Sequence, residues 1–597
     1  MDREIYKKRR YEVMDEEQIT DSNRFIDYYK SSWQDKEQRG LFAKWEELDL
    51  YWEGEANLPE SDTDPGSNTN IIHPNVEGQV ALLVEQNIAI MAHPQSPSDM
   101  PFSKTVSQIL EWVKEKNKLK RKLDVHERRR EKFGTGVFRV LFDPDALNGF
   151  GLPTIEPVNP AYIFVDPAIT DVYKVQEARF MIETVNKSIS WAKKNFDEDK
   201  ANAIMPGFDI VEDWGLFGET DGENDAISRD TYLHLFVWTK DEDGLRLVQM
   251  SSDGVILSDS NEDEDYFPDD RYPYFFTPLY FREGMIWGKG DAELLINTQN
   301  LIDDLDDQIR INARMTGNIQ KVIGKGSNID IDKWTNEPGL NIPADDINAW
   351  KLVEPKPMPA YIINRRQEAM NIEVQKQTRF SDHMTGARQK GVDTATEALT
   401  LQQAGATGID HKKLLLQETL SEVFEYILSL IKEYYNDEQA FRITEKQNEF
   451  IWFRGSSLKE VPYLIPATES YKQGLRQQMG EMINEPEYMQ LDGETKEAFF
   501  DIEVTVGAGL PNNKAFVYTV IKEAFATGAI DKTEFRDLLR EYVKLPIEEQ
   551  QPVDPQLMQQ QLQQLMGQVP NANMQGLTPQ GNLSQPMPSQ GGMPNAL

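Results

Sequence analysis

Between residues 290 and 436 the spacing of apolar and polar positions sets out three helical segments. The first follows Gly288-Lys289-Gly290 and is predicted over Asp291 to about Thr316, with Leu294, Leu301, Leu305 and Ile309 at spacings of seven, four and four. Its flanks carry Asp303, Asp304, Asp306 and Asp307 against Arg310 and Arg314. Four acids in five residues do not fit an apolar core, so part of this helix is expected to face water. Residues 318–359 break the period: a β-like run, Ile319 to Ile323, is followed by Gly324-Lys325-Gly326, Pro338-Gly339 and prolines at 355, 357 and 359, which predicts a small α+β insert. Helix resumes from Ala360 to about Met384, now with Arg365, Arg366, Lys376 and Arg379, and stops at Gly386.

Gly386 to Gly391 is a short loop with a glycine at each end and two cations, Arg388 and Lys390, inside. Thr394-Ala395-Thr396-Glu397 is a capping-box signature, in which hydroxyl and carboxylate satisfy each other's free backbone amides. A long helix is predicted from there to about Asn436, with Leu416, Leu420, Val423, Ile427, Ile431 and Tyr434 at threes and fours. That is roughly 43 residues, or about 64 Å. Gly405 and Gly408 interrupt it, and a glycine pair predicts a kink.

Upstream, residues 1–60 read as charged helix with Trp33, Phe42, Trp45, Leu48, Tyr51 and Trp52 forming an aromatic face, and Pro74 to Met91 as a buried helix. Residues 104–132 hold eleven Lys and Arg against five acids. Such a run is either a phosphate-binding helix or a solvated one whose charges pair with acids, and charge runs are usually solvated. From Gly134 to about residue 285 β-branched runs (137–142, 154–157, 162–165, 231–238) between Asp-Pro and Asn-Gly turns predict a β-rich lobe. Asp259 to Asp270 carries seven acids without calcium-loop spacing and is expected to be a solvated loop. Strands are expected at 441–453 and 501–506, two short helices at 516–542, and no ordered core in the Gln-, Pro- and Met-rich stretch 551–597, although 556–566 has helical character.

The order of acidic helix, insert, basic helix, cation-bearing loop and long helix resembles the portal, or head-to-tail connector, proteins of tailed bacteriophages. Trp287-Gly-Lys-Gly-Asp-Ala-Glu-Leu-Leu295 and Thr385-Gly-Ala-Arg388 match that family's character, and the resemblance spans about residues 40–550. It implies a helix-rich, multidomain α+β protomer that assembles, twelve copies in the family, into a ring around a central channel. The implied parts are an N-terminal wing with β-rich lobe (1–285), first stem helix (286–317), clip (318–359), second stem helix (360–385), tunnel loop (386–393), long kinked wing helix (394–436), wing strands (437–510), crown helices (511–550) and a disordered tail (551–597). Asp303, Asp304, Asp306 and Asp307 would then line part of the channel, unless they pair with the cations of the second stem helix. Arg388 and Lys390 would meet passing DNA, unless they pair with Asp382 or Asp393. Trp334 and Trp350 would anchor clip partners, unless they form the clip's own core. Implied partners are further copies of the chain, the terminase large subunit, a head-completion or adaptor protein, the major capsid and scaffolding proteins, and double-stranded DNA, with no membrane. The implied place is the portal vertex of the virion, after assembly in the host cytoplasm. The alternative is a particle adaptor without a DNA channel.

Composition agrees. The chain has 597 residues, enough for two to four domains. Its net charge of −37 argues against a protein that coats nucleic acid with a broad basic surface, but not against one that surrounds DNA without gripping it. With no cysteine there is neither a disulfide nor a thiolate metal site. No signal peptide and no apolar span are visible, so a soluble protein is expected. Gly284 to Gly290 lacks the spacing and hydroxyl of a Walker loop, Gly134-Thr135-Gly136 leads into a strand rather than a helix, and the six histidines show no metal-type pairing. No catalytic motif and no cofactor site are expected.

Overall fold

A computed structural model describes residues 2–56, 69–85, 87–207, 230–241, 244–261, 267, 269–317, 320–324, 330, 345, 348, 350–353, 356–378, 395–436, 439–442, 450–473, 487–507 and 525. The chain divides into two units, Met1–Gly509 and Leu510–Leu597, and of the second only Phe525 is among these residues. The expected loop 386–393, the helices at 516–542 and the stretch 551–597 therefore lie outside the described residues.

The chain opens with α1 (Asp2–Val13), α2 (Glu16–Gln38) and α3 (Leu41–Glu53). Asp15 starts α2 through a capping box with Gln18, which satisfies free amides at both positions. Phe25, Tyr29, Trp33, Phe42, Trp45, Leu48 and Tyr51 are buried together, as the aromatic face predicts. Inside them Lys36 donates to the carbonyls of Pro160 (2.8 Å) and Ala161 (3.2 Å) and sits over the rings of Phe164 and Trp287. Burial lowers its pKa well below the usual lysine value, and carbonyls and ring faces stand in for the missing carboxylate.

The helix expected to run from Pro74 to Met91 is shorter. Helix α4 spans Ile72–Val84, and β1 (Ile88–Pro94) follows. Ile88, Ile90 and Ala92 are buried while Met91 is exposed, a period of two that the preceding apolar helix conceals. The partner strand is β16 (Phe500–Val506), antiparallel with Ile88 opposite Val506. The basic run is likewise two helices, α5 (Met100–Lys116) and α6 (Leu119–Phe133), broken where Lys118 takes a left-handed φ of 52°.

The expected β-rich lobe is present. In it β2 (Thr135–Asp143), β3 (Leu152–Val158) and β9 (Tyr274–Pro278) form one antiparallel sheet with β2 central. A second, in the order β4-β5-β6-β7-β8, comprises β4 (Ile163–Val165), β5 (Phe180–Ser188), β6 (Thr231–Asp241), β7 (Gly244–Ser251) and β8 (Ile256–Asp259). Short helices α7 (Ile189–Asn195) and α8 (Glu198–Ala203) follow β5. Of the acidic stretch expected to be solvated, Asp259 is instead buried against Arg246 (3.0 Å) and Asp269 pairs with Arg271 (2.6 Å), because each neighbours a strand that brings a cation alongside.

Helix α9 (Asp291–Gly317) ends one residue past its expected limit. Its buried positions are Asp291, Ala292, Leu295, Ile296, Thr298, Gln299, Ile302, Asp303 and Leu305, so of the expected stripe only Leu305 is fully buried. The true face includes four polar side chains, Asp291, Thr298, Gln299 and Asp303, that hydrogen bonding allows inside. In the insert β10 (Gln320–Ile323) pairs antiparallel with β11 (Trp350–Val353). Helix α10 (Ala360–Glu368) passes through one π-helical turn, Ala369–Glu373, into α11 (Val374–Thr378). Helix α12 (Ala395–Tyr434) is continuous across Gly405 and Gly408. Leu416, Leu420, Val423, Ile427 and Ile431 are buried as expected, but the face closes with Tyr435, while Tyr434 is partly exposed. Hairpins β12 (Gln439–Arg442) with β13 (Phe450–Phe453), and β14 (Val461–Pro466) with β15 (Tyr488–Lys496), complete the described chain. The α+β class holds.

Candidate functional site

Where α9 begins, three stretches of backbone cross at close range. A side chain at Gly288 would collide with the carbonyl of Gly134, one at Gly290 with the carbonyl of Glu131, and one at Gly136 with the ring of His126. The two glycine clusters that lack nucleotide-binding geometry are thus packing sites, which lock the start of α9 against the end of α6 and the start of β2.

That crossing encloses a knot of charge. Lys412 of α12 donates to Glu131 of α6 (2.8 and 3.0 Å), to Asp291 at the first position of α9 (2.7 Å) and to Gln79 of α4. Gln79 in turn donates to Asp291 (2.8 Å) and to Asn75 (2.7 Å). Arg130 binds Glu127 (2.8 Å) and the carbonyl of Lys412 (3.1 Å), and Glu127 meets His126 (2.8 Å). All of these charged groups are buried, and among the described residues Asp291 Oδ1 has no hydrogen-bond partner. Burial, opposed by Lys412 but reinforced by the nearby Asp291, pushes Glu131 up to about 7. Burial works against the Lys412 charge too, yet Glu131 and Asp291 hold its pKa above the usual lysine value. Burial would raise Glu127 as well, but Arg130 and His126 bring it down to about 2. The effect is to tie α4, α6, α9 and α12 at one point.

Further along α9 the four sequence-singled aspartates separate. Asp303 is buried, accepting from Gln299 (3.0 Å) and from the amide of Thr69 (3.2 Å). Asp306 accepts from the Thr69 hydroxyl (2.8 Å) and pairs with Arg366 of α10 (2.9 Å). Asp307 pairs with Arg310 (3.0 Å). Asp304 is exposed and makes no ion pair among the described residues. The expected pairing between the two helices therefore occurs at Asp306 with Arg366, while Arg365 pairs with Glu373 (2.7 Å) instead. Beyond the acids the helices are only partly covered: Ile311, Met315, Tyr361, Ile363 and Ile372 are exposed.

Trp350 begins β11 opposite Ile323, with its side chain outside the described residues. Trp334, Arg388 and Lys390 lie outside them altogether. Among the described residues, five of the eleven cations in the basic run pair within the chain: Lys114 with Glu111, Lys122 with Glu156, Arg128 with Glu77 and Asp124, Arg130 with Glu127, and Lys132 with Asp49. Among the described residues no group of three or more His, Cys, Asp or Glu is placed to hold a metal ion, and no helix is long and apolar enough to cross a membrane.

Compared with known families, residues 61–459 match the family model described as phage SU10 portal protein, which is two thirds of the chain and runs from the approach to α4 past β13. No curated protein matches the chain.

Proposed function

The chain belongs to the SU10 portal protein family of phages, and from that premise we propose that it forms the ring-shaped DNA channel at one capsid vertex, used for genome packaging, head-to-tail joining and ejection. The family match carries this reading. Two features of the protomer support it. Ile311, Met315, Tyr361, Ile363 and Ile372 are exposed on a pair of helices too narrow to cover them, and neighbouring copies in a closed ring would bury them. Asp304, facing solvent between paired acids, supplies charge of the sign that repels phosphate, so a duplex passing a ring of copies would slide without sticking.

In this reading the insert 318–359 meets the terminase large subunit and later a head-completion protein, and Arg388 and Lys390 face the DNA. The protein's work is mechanical, with no chemistry on the genome. Electron microscopy of the purified chain, with native mass spectrometry for the copy number, tests it. A hollow ring, twelve copies on the family pattern, is the expected result. A stable monomer under assembly-permissive salt and concentration, or a solid or filamentous assembly, would overturn it.

A further inference from the structure

On α6 and the strands beside it, cations withdrawn from solvent meet carboxylates, while Lys120 and Arg121 are exposed. Lys122 reaches Glu156 at 2.9 Å, Arg128 reaches Asp124 at 2.8 Å, Arg130 reaches Glu127 at 2.8 Å and Arg139 reaches Glu183 at 2.8 Å. Arg129 departs from the pattern. Its guanidinium is half-buried and donates to the carbonyl of Pro157 (2.7 Å), and among the described residues no carboxylate pairs with it. Burial lowers its pKa, the direction expected of a cation that has lost water without gaining an anion.

Arg129 lines an open cleft of about 590 Å³ between α6, β3 and β5, with Asn159, Tyr162, Asn186 and Lys187 among its other walls. Lys187 lies over the Trp191 ring at 4.6 Å and also has no carboxylate partner among the described residues. The two acids of the cleft are both engaged, Glu156 by Lys122 and Glu183 by Arg139 and Tyr274 (2.7 Å). Two cations are left facing a space of the size that holds a ligand or a few side chains. In a chain of net charge −37 this is an uncommon surface.

We propose that the cleft is an interaction surface that receives carboxylates from an acidic segment of a second copy of this chain. The proposal rests on the ring reading above. Each copy bears 100 acids against 63 bases, so any neighbour presents an acid-rich surface, and a half-buried guanidinium is suited to bidentate capture of a carboxylate. A nucleic-acid backbone fits less well, because the Glu156 side chain is about half exposed at the cleft and would face successive phosphates.

The absence of cysteine makes a clean test possible. Asn186→Cys, on the exposed rim, would carry a benzophenone maleimide on the full-length chain. Cross-links to acid-rich peptides of another copy are expected, and cross-links confined to the same chain would overturn the proposal. The double variant Arg129→Gln/Lys187→Gln is expected to raise about tenfold the protein concentration for half-assembly into rings, the loss of roughly one charge-assisted contact. Lys187→Gln alone, in a more solvated side chain, reads the same effect if the double variant folds poorly. Rings that assemble equally well in every variant sink the surface alone, whereas a wild-type chain that never assembles sinks the ring as well.

Discussion

Lys412 and Asp291, 121 residues apart, meet at 2.7 Å in a site where neither side chain is more than 2% exposed. Asp291 opens α9, where the helix dipole already favours a negative group, and Lys412 adds a full countercharge. Glu131 shares the same ammonium, so removing it strands two acids in a buried site. Lys412→Met is therefore expected to cost about 3–5 kcal/mol, the loss seen when one partner of a buried pair is removed. Urea denaturation would measure it. A change within about 0.5 kcal/mol, the range of ordinary surface substitutions, would mean that the knot contributes no net stability.

The same knot predicts a pH dependence. With Glu131 raised to about 7, the folded chain keeps a proton that the unfolded chain releases near the usual 4.5. A raised acid pKa contributes stability that is fully present below the unfolded value and is lost as pH climbs through the folded one. Wild-type stability should accordingly fall relative to Glu131→Gln between about pH 4.5 and 7, as read from thermal midpoints in matched buffers. Equal slopes for the two proteins across that window would place the proton elsewhere.

The long elements were legible because their periodicity is local: α9 and α12 fall within two residues of their expected limits. Strand β1 was not, since its partner β16 lies some 400 residues away and its alternation directly follows an apolar helix. The buried face of α9 departs from its apolar stripe for a different reason. Gln299 and Asp303 are inside because Thr69 and Ile71 hydrogen-bond to them, and no apolar count detects that. The charge knot leaves no local pattern because Lys412, Glu131 and Asp291 come from separate regions of the chain. One signal existed: Lys412 stands four residues before Leu416, on the same stripe as Leu420 and Val423, where a cation needs a buried partner.

The acids of α9 should separate by experiment as they do in space. Asp306→Asn breaks a pair with Arg366 that is largely shielded from solvent, and a double-mutant cycle with Arg366→Gln is expected to give a coupling of about 1 kcal/mol. Asp304→Asn should leave stability within about 0.5 kcal/mol and instead slow packaging or steepen its salt dependence. Packaging identical to wild type at every salt concentration would remove Asp304 from the channel.

For the insert, the β10 and β11 hairpin gives a frame on which Trp334 and Trp350 are proposed to anchor partners. Deleting 318–359 and joining the flanks with a short linker should leave rings but abolish terminase binding and packaging. Trp334→Ala and Trp350→Ala should weaken terminase binding while the thermal midpoint of the ring stays put. A falling midpoint with unchanged binding would instead make the tryptophans the insert's own core.

Arg388 and Lys390 carry the most direct prediction about DNA. They stand between Gly386 and Gly391, in the short stretch joining α11 to α12. Two cations bounded by glycines between helices are proposed to act as a unit in which side chains can project while their anchors stay fixed. Contact with phosphate from such a loop is blind to base sequence, and each contact breaks in salt as the next phosphate arrives. Their proposed role is to steady and retain the genome rather than to move it. Arg388→Ala/Lys390→Ala should then assemble rings normally yet give heads that fill less or leak DNA, with the defect largest at low salt and narrowing as salt rises. Full, stable heads at all salt concentrations would leave both residues with the local pairing to Asp382 or Asp393 as their only task.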